Sequence, residues 1–452
     1  MPHQDNRNDY TPAQALKELL EKILPGDSEF KARHGNATVS PFLTALAALI
    51  AFGWTDGNHL TNRCMLAFEA VGRLIPSSMG VFTTRQGLHN ALVTAGRSFV
   101  VQVCSAISRH LSREKLWLLY GKPTFGVDGT KFLLPRTKAN QGYFSAAMRK
   151  KSSTYKKKAD QAKAASPQCQ LSLCLHLGTY LPFRWKASSY ELGERGALLD
   201  MLSSLPKNSR LVMDAFYYGY ELWTTLIAQG FTFVVRAGSN IEVTKNLKGL
   251  NGKLKRRGNL VFYWPANAAK DGKPPIVLLL VEVMVGKKRM FLITNELTLA
   301  DHELAELYRR RWGIEVFFRT VKQSWQRAKL VSRKPQNALV EIDWTLLGIW
   351  ASLWLGREQT NNKIALSPVK VLRTIAKLVR DTASKAATRW NLKRSFAQCA
   401  AQDESDRITP KDSRNYPRKN KRKATGAPII NRGTAKLQKI ADNAIREILL
   451  PA

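Results

Sequence analysis

Residues 209–236 read SRLVMDAFYYGYELWTTLIAQGFTFVVR, and the hydrophobic pattern changes period twice within them. Ser209 to Ala215 is an apolar run interrupted near its end by one acid, Asp214, and reads as a short buried strand. Tyr220 to Gln229 has helical spacing, and Phe231 to Arg236 is again a continuous apolar strand. Working outward, Thr124 to Leu134 (TFGVDGTKFLL) reads as a strand, and 168–178 (QCQLSLCLHLG) and 181–188 (LPFRWKAS) are spaced as a meander. Glu191 to Leu205 is helical. Three strands followed by helix, strand, helix and strand predict an α/β fold on a mixed sheet.

Two acids stand out by position. Asp128 interrupts FGVDGTKFLL and Asp214 closes RLVMDAF. A carboxylate in or at the end of a buried strand is costly unless it is paired or binds a metal. Each has an ordinary alternative as a strand-end turn cap, which Gly129 would assist in the first case. Neighbouring strands of a mixed sheet can also bring the two side by side.

A third acid belongs to a helix. Residues 308–322 read YRRRWGIEVFFRTVK. At about 100° per residue, Tyr308, Arg311, Glu315 and Lys322 share a stripe roughly 60° wide, so one carboxylate is flanked by two cations and a phenol. Ile314, Phe317 and Val321 point elsewhere and form the expected core face, with Phe318 at its border. An ordinary amphipathic helix with an Arg311–Glu315 pair at i, i+4 has the same spacing. A helix packed across the sheet, however, would deliver Glu315 to Asp128 and Asp214. Three converging carboxylates repel one another unless divalent cations sit between them, and such hard oxygen ligands favour Mg²⁺, with Mn²⁺ as a substitute. Two such ions, about 3.5–4 Å apart, activate a water or a 3′-hydroxyl and stabilise the leaving oxygen of a phosphodiester. The expected metal-binding and catalytic set is therefore Asp128, Asp214 and Glu315, with nuclease or strand-transfer chemistry.

The composition agrees. Lys and Arg number 71 against 34 Asp and Glu in 452 residues, a formal net charge of +37, so the expected partner is a polyanion. The apolar runs Trp344 to Gly356 and Pro41 to Trp54 are shorter than the roughly 20 residues that span a bilayer. The polar start MPHQDNRNDY does not resemble a signal, which predicts a cytoplasmic protein. Cysteines 64, 104, 169, 174 and 399 form no CxxC pair, and Cys174 with His176 finds no further ligand at metal-site spacing. No GxxxxGK[ST] loop is present.

Three regions are expected. Residues 1–118 are helical, with Thr11 capping a helix that starts at Pro12, further helices around 41–54, 61–75 and 84–112, and a DNA-binding role. Residues 119–356 hold the mixed sheet, interrupted at about 237–296 by a β-rich insertion. Residues 357–452 are basic, densest in PRKNKRK at 417–423, close on an amphipathic helix at 434–450, and are expected to contact DNA or to dimerise.

DGTKFLLPRT around Asp128, DAFYYGYELW at Asp214, and the Tyr-x2-Arg-x3-Glu-x6-Lys spacing from Tyr308 to Lys322 together resemble the DDE transposases of the IS-four insertion-sequence family. The resemblance covers about 120–326. It departs at Phe216, where the family often carries Gly or Ala. It implies a ribonuclease H-like fold, whose element order matches the one above, and cut-and-paste transposition at terminal inverted repeats by a homodimer that pairs two DNA ends, through a hairpin intermediate. It further implies that Tyr308, Arg311 and Lys322 hold phosphates near the scissile bond and that an aromatic in the insertion stacks on a flipped base, for which Trp264 is the candidate. The competing functions are a recombinase using Tyr308 as covalent nucleophile, a transposase-derived binding protein, and a ribonuclease H-like nuclease without strand transfer.

Overall fold

The computed structural model describes residues 9–24, 40–57, 59–78, 81–113, 115–144, 166–189, 192–245, 260–285, 288–361, 365–401 and 426–432, with 434–436, 439–440 and 443 beyond them. The basic tract at 417–423 lies outside the described residues, as does most of the helix expected at 434–450.

The N-terminal elements are helices α1 (Pro12–Ile23), α2 (Pro41–Ala48, continued by a π turn over Leu49–Trp54), α3 (Leu60–Leu74) and α4 (Arg85–Leu111). Thr11 and Gln14 close a reciprocal capping box at α1, and Ser40 caps α2 ahead of Pro41. There follow β1 (Leu118–Leu119), β2 (Lys122–Leu133), α5 (Lys138–Phe144), β3 (Gln168–His176), β4 (Leu181–Ser188), α6 (Gly193–Met201), β5 (Arg210–Met213), α7 (Tyr220–Ala228) and β6 (Thr232–Ala237). Next come β7 (Glu242–Lys245), β8 (Leu260–Tyr263), α8 (Ala266–Lys270), β9 (Ile276–Val285) and β10 (Lys288–Thr294). The chain continues through α9 (Asp301–Arg319, continued by a π turn over Thr320–Ser324), α10 (Pro335–Gln359), α11 (Pro368–Ala383), α12 (Leu392–Ala397) and β11 (Ile429–Arg432).

One sheet gathers 11 strands, in the order β11-β7-β8-β9-β10-β6-β5-β2-β3-β4, with β1 beside β2. Pairing is antiparallel through β2, β3 and β4 and parallel from β2 to β5 to β6. This is the mixed sheet that the run from 124 to 236 predicts. The strands of 237–296 hydrogen-bond into that sheet: β10 runs antiparallel to both β6 and β9.

Period-two alternation divides the sheet between two layers. Leu211, Met213, Phe233 and Val235 face the larger core, which also holds residues of the N-terminal helices and α10–α12. Val212 and Val234 face the other side, against Leu304, Leu307 and Tyr308 of α9. Helix α10 is buried almost throughout from Glu341 to Gly356, as the apolar run predicts for a core helix. Its Gly348 meets Gly53 so closely that a Cβ on Gly348 would lie 2.4 Å from the Gly53 Cα, and Trp54 Nε1 donates to the Gly348 carbonyl at 2.9 Å. Among the described residues two helices, Arg85–Arg109 and Pro335–Gln359, are long and apolar enough to cross a bilayer by length and composition alone; 89 % of the apolar window of the second is buried within the protein.

Candidate active site

Strand pairing sets the first two acids beside each other. In the parallel pair β2–β5 the last matched positions are Val127 and Met213, and the next residue on each strand is an aspartate, Asp128 and Asp214. Because Val127 and Met213 face the larger core, the pleat turns both aspartates to the face covered by α9. Each carboxylate accepts a nearby backbone N–H, Asp128 within its strand and Asp214 in the turn that follows β5. Asp128 Oδ1 accepts the Gly129 N–H at 2.8 Å, and Asp214 Oδ1 accepts the Phe216 N–H at 2.8 Å, an Asx-type closure. The bulky residue at 216 therefore leaves the turn intact.

Helix α9 brings the third acid. Gly313 lets it cross the ring of Tyr180, since a Cβ there would sit 2.5 Å from two ring carbons. Arg311 then points at β2: its Nη1 lies 3.4 Å from Asp128 Oδ2 and its Nη2 2.8 Å from Glu315 Oε1. One guanidinium thus joins Asp128 to Glu315, which realises the i, i+4 pair and extends it to the strand. Arg311 is 8 % exposed, and its Cζ stands 5.4 Å from the ring centre of the buried Tyr308. Lys322, in the π turn, donates Nζ to Thr130 Oγ1 at 2.6 Å and lies over the Phe132 ring. Thr130 is two residues beyond Asp128, on the same face of the strand. Tyr308, Arg311, Glu315 and Lys322 therefore lie along α9 and its π turn, with Arg311 and Lys322 touching β2 at Asp128 and Thr130.

The electrostatics follow the burial. Burial, with the charges of Asp214 and Glu315, pushes the Asp128 carboxyl up to about 7, against the opposing pull of Arg311 and the Gly129 N–H. Burial alone would lower the Arg311 pKa, but Tyr308, Asp128 and Glu315 outweigh it and raise it. Burial raises Tyr308 and lowers Lys322. Among the described residues no three acidic, histidine or cysteine side chains close around a point as a ready metal cage, because the Arg311 guanidinium lies between Asp128 and Glu315. The donor set nonetheless suits a hard divalent cation, because all three acids offer carboxylate oxygens.

Trp264, the candidate stacker, lies at the end of β8. It is partly buried and donates its indole N–H to the Lys273 carbonyl at 2.7 Å. Three residues beyond the predicted set also belong here. The Glu194 carboxyl covers Gly129, whose missing Cβ would stand 2.4 Å from Glu194 Cδ. Tyr217 is fully buried, its hydroxyl meets no hydrogen-bond partner among the described residues, and the charges of Glu194, Asp128 and Asp214 all act on it. Arg195 donates Nε and Nη2 to the Phe216 carbonyl at 3.0 and 2.7 Å. The glycine directly after Asp128 was the sequence signal for the first; the other two carried none.

A family model described as the transposase DDE domain matches residues 119–350. "Transposase InsG for insertion sequence element IS4" of Escherichia coli (strain K12) is 30 % identical over 189 residues, which are 40 % of this chain and 41 % of that protein. The chain thus matches about two-fifths of the length of this curated relative. Among solved structures, the piggyBac transposase synaptic complex with hairpin DNA aligns over 88 % of this chain and 86 % of that one, at a TM-score of 0.41 and 13 % identity.

Proposed function

This chain belongs to the transposase DDE-domain family, and from that premise we propose that it is an insertion-sequence transposase, cutting its element from DNA at terminal inverted repeats and joining it to a target. The observation that carries the reading is the pair of aspartates on adjacent strands, Asp128 within β2 and Asp214 at the end of β5, with Arg311 joining Asp128 to Glu315 of a helix crossing the same face.

Asp128, Asp214 and Glu315 would hold the metal, for which we propose two Mg²⁺ ions, replaceable by Mn²⁺. When bound, such ions supply an activated hydroxyl at the scissile phosphodiester and stabilise the departing oxygen. The remaining residues position the substrate. Arg311, once it turns from the carboxylates, and Lys322 from its place at Thr130 present cations to the phosphate. Tyr308 backs the Arg311 guanidinium and keeps water from it. The joining steps are transesterifications: a 3′-hydroxyl loses its proton as its oxygen bonds to phosphorus, and the displaced 3′-oxygen leaves with the former ester bond's electrons. The freed 3′-hydroxyl of one strand attacks the opposite strand to close a hairpin, which water reopens before target joining.

DNA is the proposed partner, with a homodimer pairing two ends. The +37 charge supports duplex binding, and the helical residues 1–118 together with the basic residues 357–452 are the proposed contributors. The test is incubation with a supercoiled plasmid bearing the element's inverted repeats, in Mg²⁺, in Mn²⁺ and in EDTA. Metal-dependent breaks at the repeat ends, with hairpin and joined products, are expected. Binding without cutting in either metal would leave a DNA-binding protein, and cutting without joined products a nuclease.

A further inference from the structure

The segment that follows Lys322 is anchored to the N-terminal helices. The π turn over Thr320–Ser324 closes with the Trp325 N–H on the Thr320 carbonyl at 2.8 Å. Gln326 then turns the chain through a left-handed φ of 55°, and the Arg327 N–H returns to the Val321 carbonyl at 3.1 Å. Beyond it the chain is stitched to the end of β2: the Leu133 N–H donates to the Ala328 carbonyl at 3.1 Å, and the Leu330 N–H to the Leu133 carbonyl at 2.8 Å. The Arg327 side chain is 2 % exposed and reaches the loop between the π turn of α2 and helix α3. Its Nη2 donates to the Thr55 carbonyl at 2.9 Å, and its Nη1 to the carbonyls of Gly57 at 3.1 Å and Trp325 at 2.9 Å. Asp56, between the two loop carbonyls, pairs with Arg380 of α11 at 2.5 Å.

This clamp is not the arrangement that stability alone favours. Arg63 of α3 and Glu341 of α10 are buried with it, Arg63 Nη2 lying 3.9 Å from Glu341 Oε1, so two guanidinium groups share one carboxylate. Burial and the charge of Arg63 pull the Arg327 pKa down to about 9, against the charges of Glu341 and Asp56. Among the described residues, Arg327 Nε and Arg63 Nε and Nη1 meet no hydrogen-bond partner. A well-packed apolar side chain would serve stability as well, whereas a forked cation fixes the backbone on both sides of the contact. We propose that Arg327 is a positioning residue for the cleavage step: it locks the end of the π turn to the N-terminal helices and so holds Lys322 Nζ at Thr130, two residues from Asp128 on the same face of β2. This rests on the transposase reading. The helical residues 1–118 then help to build the catalytic face, in addition to the DNA contacts proposed for them.

A double-mutant cycle on the full chain separates this role from a merely structural one. Single-turnover cleavage of an end-containing duplex in Mg²⁺, at saturating protein, is measured beside duplex affinity in EDTA for Arg327→Met, Arg327→Lys, Lys322→Ala and the double variant Arg327→Met/Lys322→Ala. Arg327→Met should slow cleavage on the order of ten-fold, as a small misplacement of a group at the reacting centre does, and leave duplex affinity within about two-fold of wild type. Arg327→Lys, which keeps the cation but not the fork, should recover part of the rate. Because Arg327 acts through Lys322, the double variant should cleave no more slowly than Lys322→Ala alone. The proposal is overturned if the two losses multiply, if both Arg327 variants cleave at the wild-type rate, or if affinity falls as far as the rate does. Should Arg327→Met fail to fold, Arg327→Lys with Lys322→Ala makes the same comparison. A wild-type protein that binds the duplex but cuts it in neither Mg²⁺ nor Mn²⁺ would instead remove the transposase reading, and this proposal with it.

Discussion

Arg311 and Asp128 stand 183 residues apart in the chain, yet Nη1 of the first lies 3.4 Å from Oδ2 of the second. With its Nη2 on Glu315, this guanidinium fills the space where the carboxylates would share a cation. A divalent ion must therefore compete with Arg311. Arg311→Met should bind Mn²⁺ more tightly than the wild type by calorimetry in the absence of DNA. Its cleavage should nevertheless fall on the order of 10²-fold, as when a preorganised donor to a developing charge is removed. Equal metal affinities in the two proteins would mean that Arg311 does not occupy the metal's place.

Catalytic positioning separates from general basicity along the chain. Lys322→Ala should slow nicking at saturating protein by about 10²-fold while changing duplex affinity little. Neutralising Arg418, Lys419, Lys421, Arg422 and Lys423 should weaken binding to all duplexes alike, flatten the salt dependence of affinity, and leave the cleavage rate of saturated complexes unchanged. Nicking rates equal to wild type for Lys322→Ala would return the stripe to the status of an amphipathic helix face.

The Asp128 carboxyl, pushed by burial up to about 7, binds a proton more readily folded than unfolded between about pH 4 and its folded value. Its contribution to stability is thus full below about pH 4 and is lost as the pH rises through about 7. In metal-free buffer the Tm of Asp128→Asn should accordingly rise relative to wild type between about pH 5 and about pH 8. A Tm difference independent of pH would show that Arg311 already compensates the charge.

At the crossing of Gly53 and Gly348 there is no room for a side chain. Gly348→Ala must move backbone rather than a flexible side-chain tip, and should cost about 1–3 kcal/mol in denaturant unfolding. A loss confined to a few tenths would show that the helices separate easily there.

The central fold was legible because its strands are continuous apolar runs and its acids break them. Asp128 and Asp214 were visible as interruptions, but their adjacency depends on the Val127–Met213 register, which no local pattern encodes. Glu315 could be placed on a stripe with Arg311 because helical spacing is local; that Arg311 would reach across to the sheet could not. The strands of 237–296 read as β-rich because apolar strands announce themselves, but their partners do not, so the pairing of β10 with β6 could not be read. Phe216 was noticed as a departure, while its clamp by Arg195 comes from a separate helix and left no mark in the sequence.

The most direct test of the account is single-turnover cleavage of an end-containing duplex in Mg²⁺, at protein concentrations that saturate binding, by Asp128→Asn, Asp214→Asn and Glu315→Gln. The three carboxylates are proposed to hold the metal, whereas phosphate contacts dominate affinity. Each variant should therefore bind the duplex within a few-fold of wild type, and its cleavage should fall to the level seen in EDTA. Cleavage near the wild-type rate by any one of them would contradict the assignment of that residue to the catalytic centre.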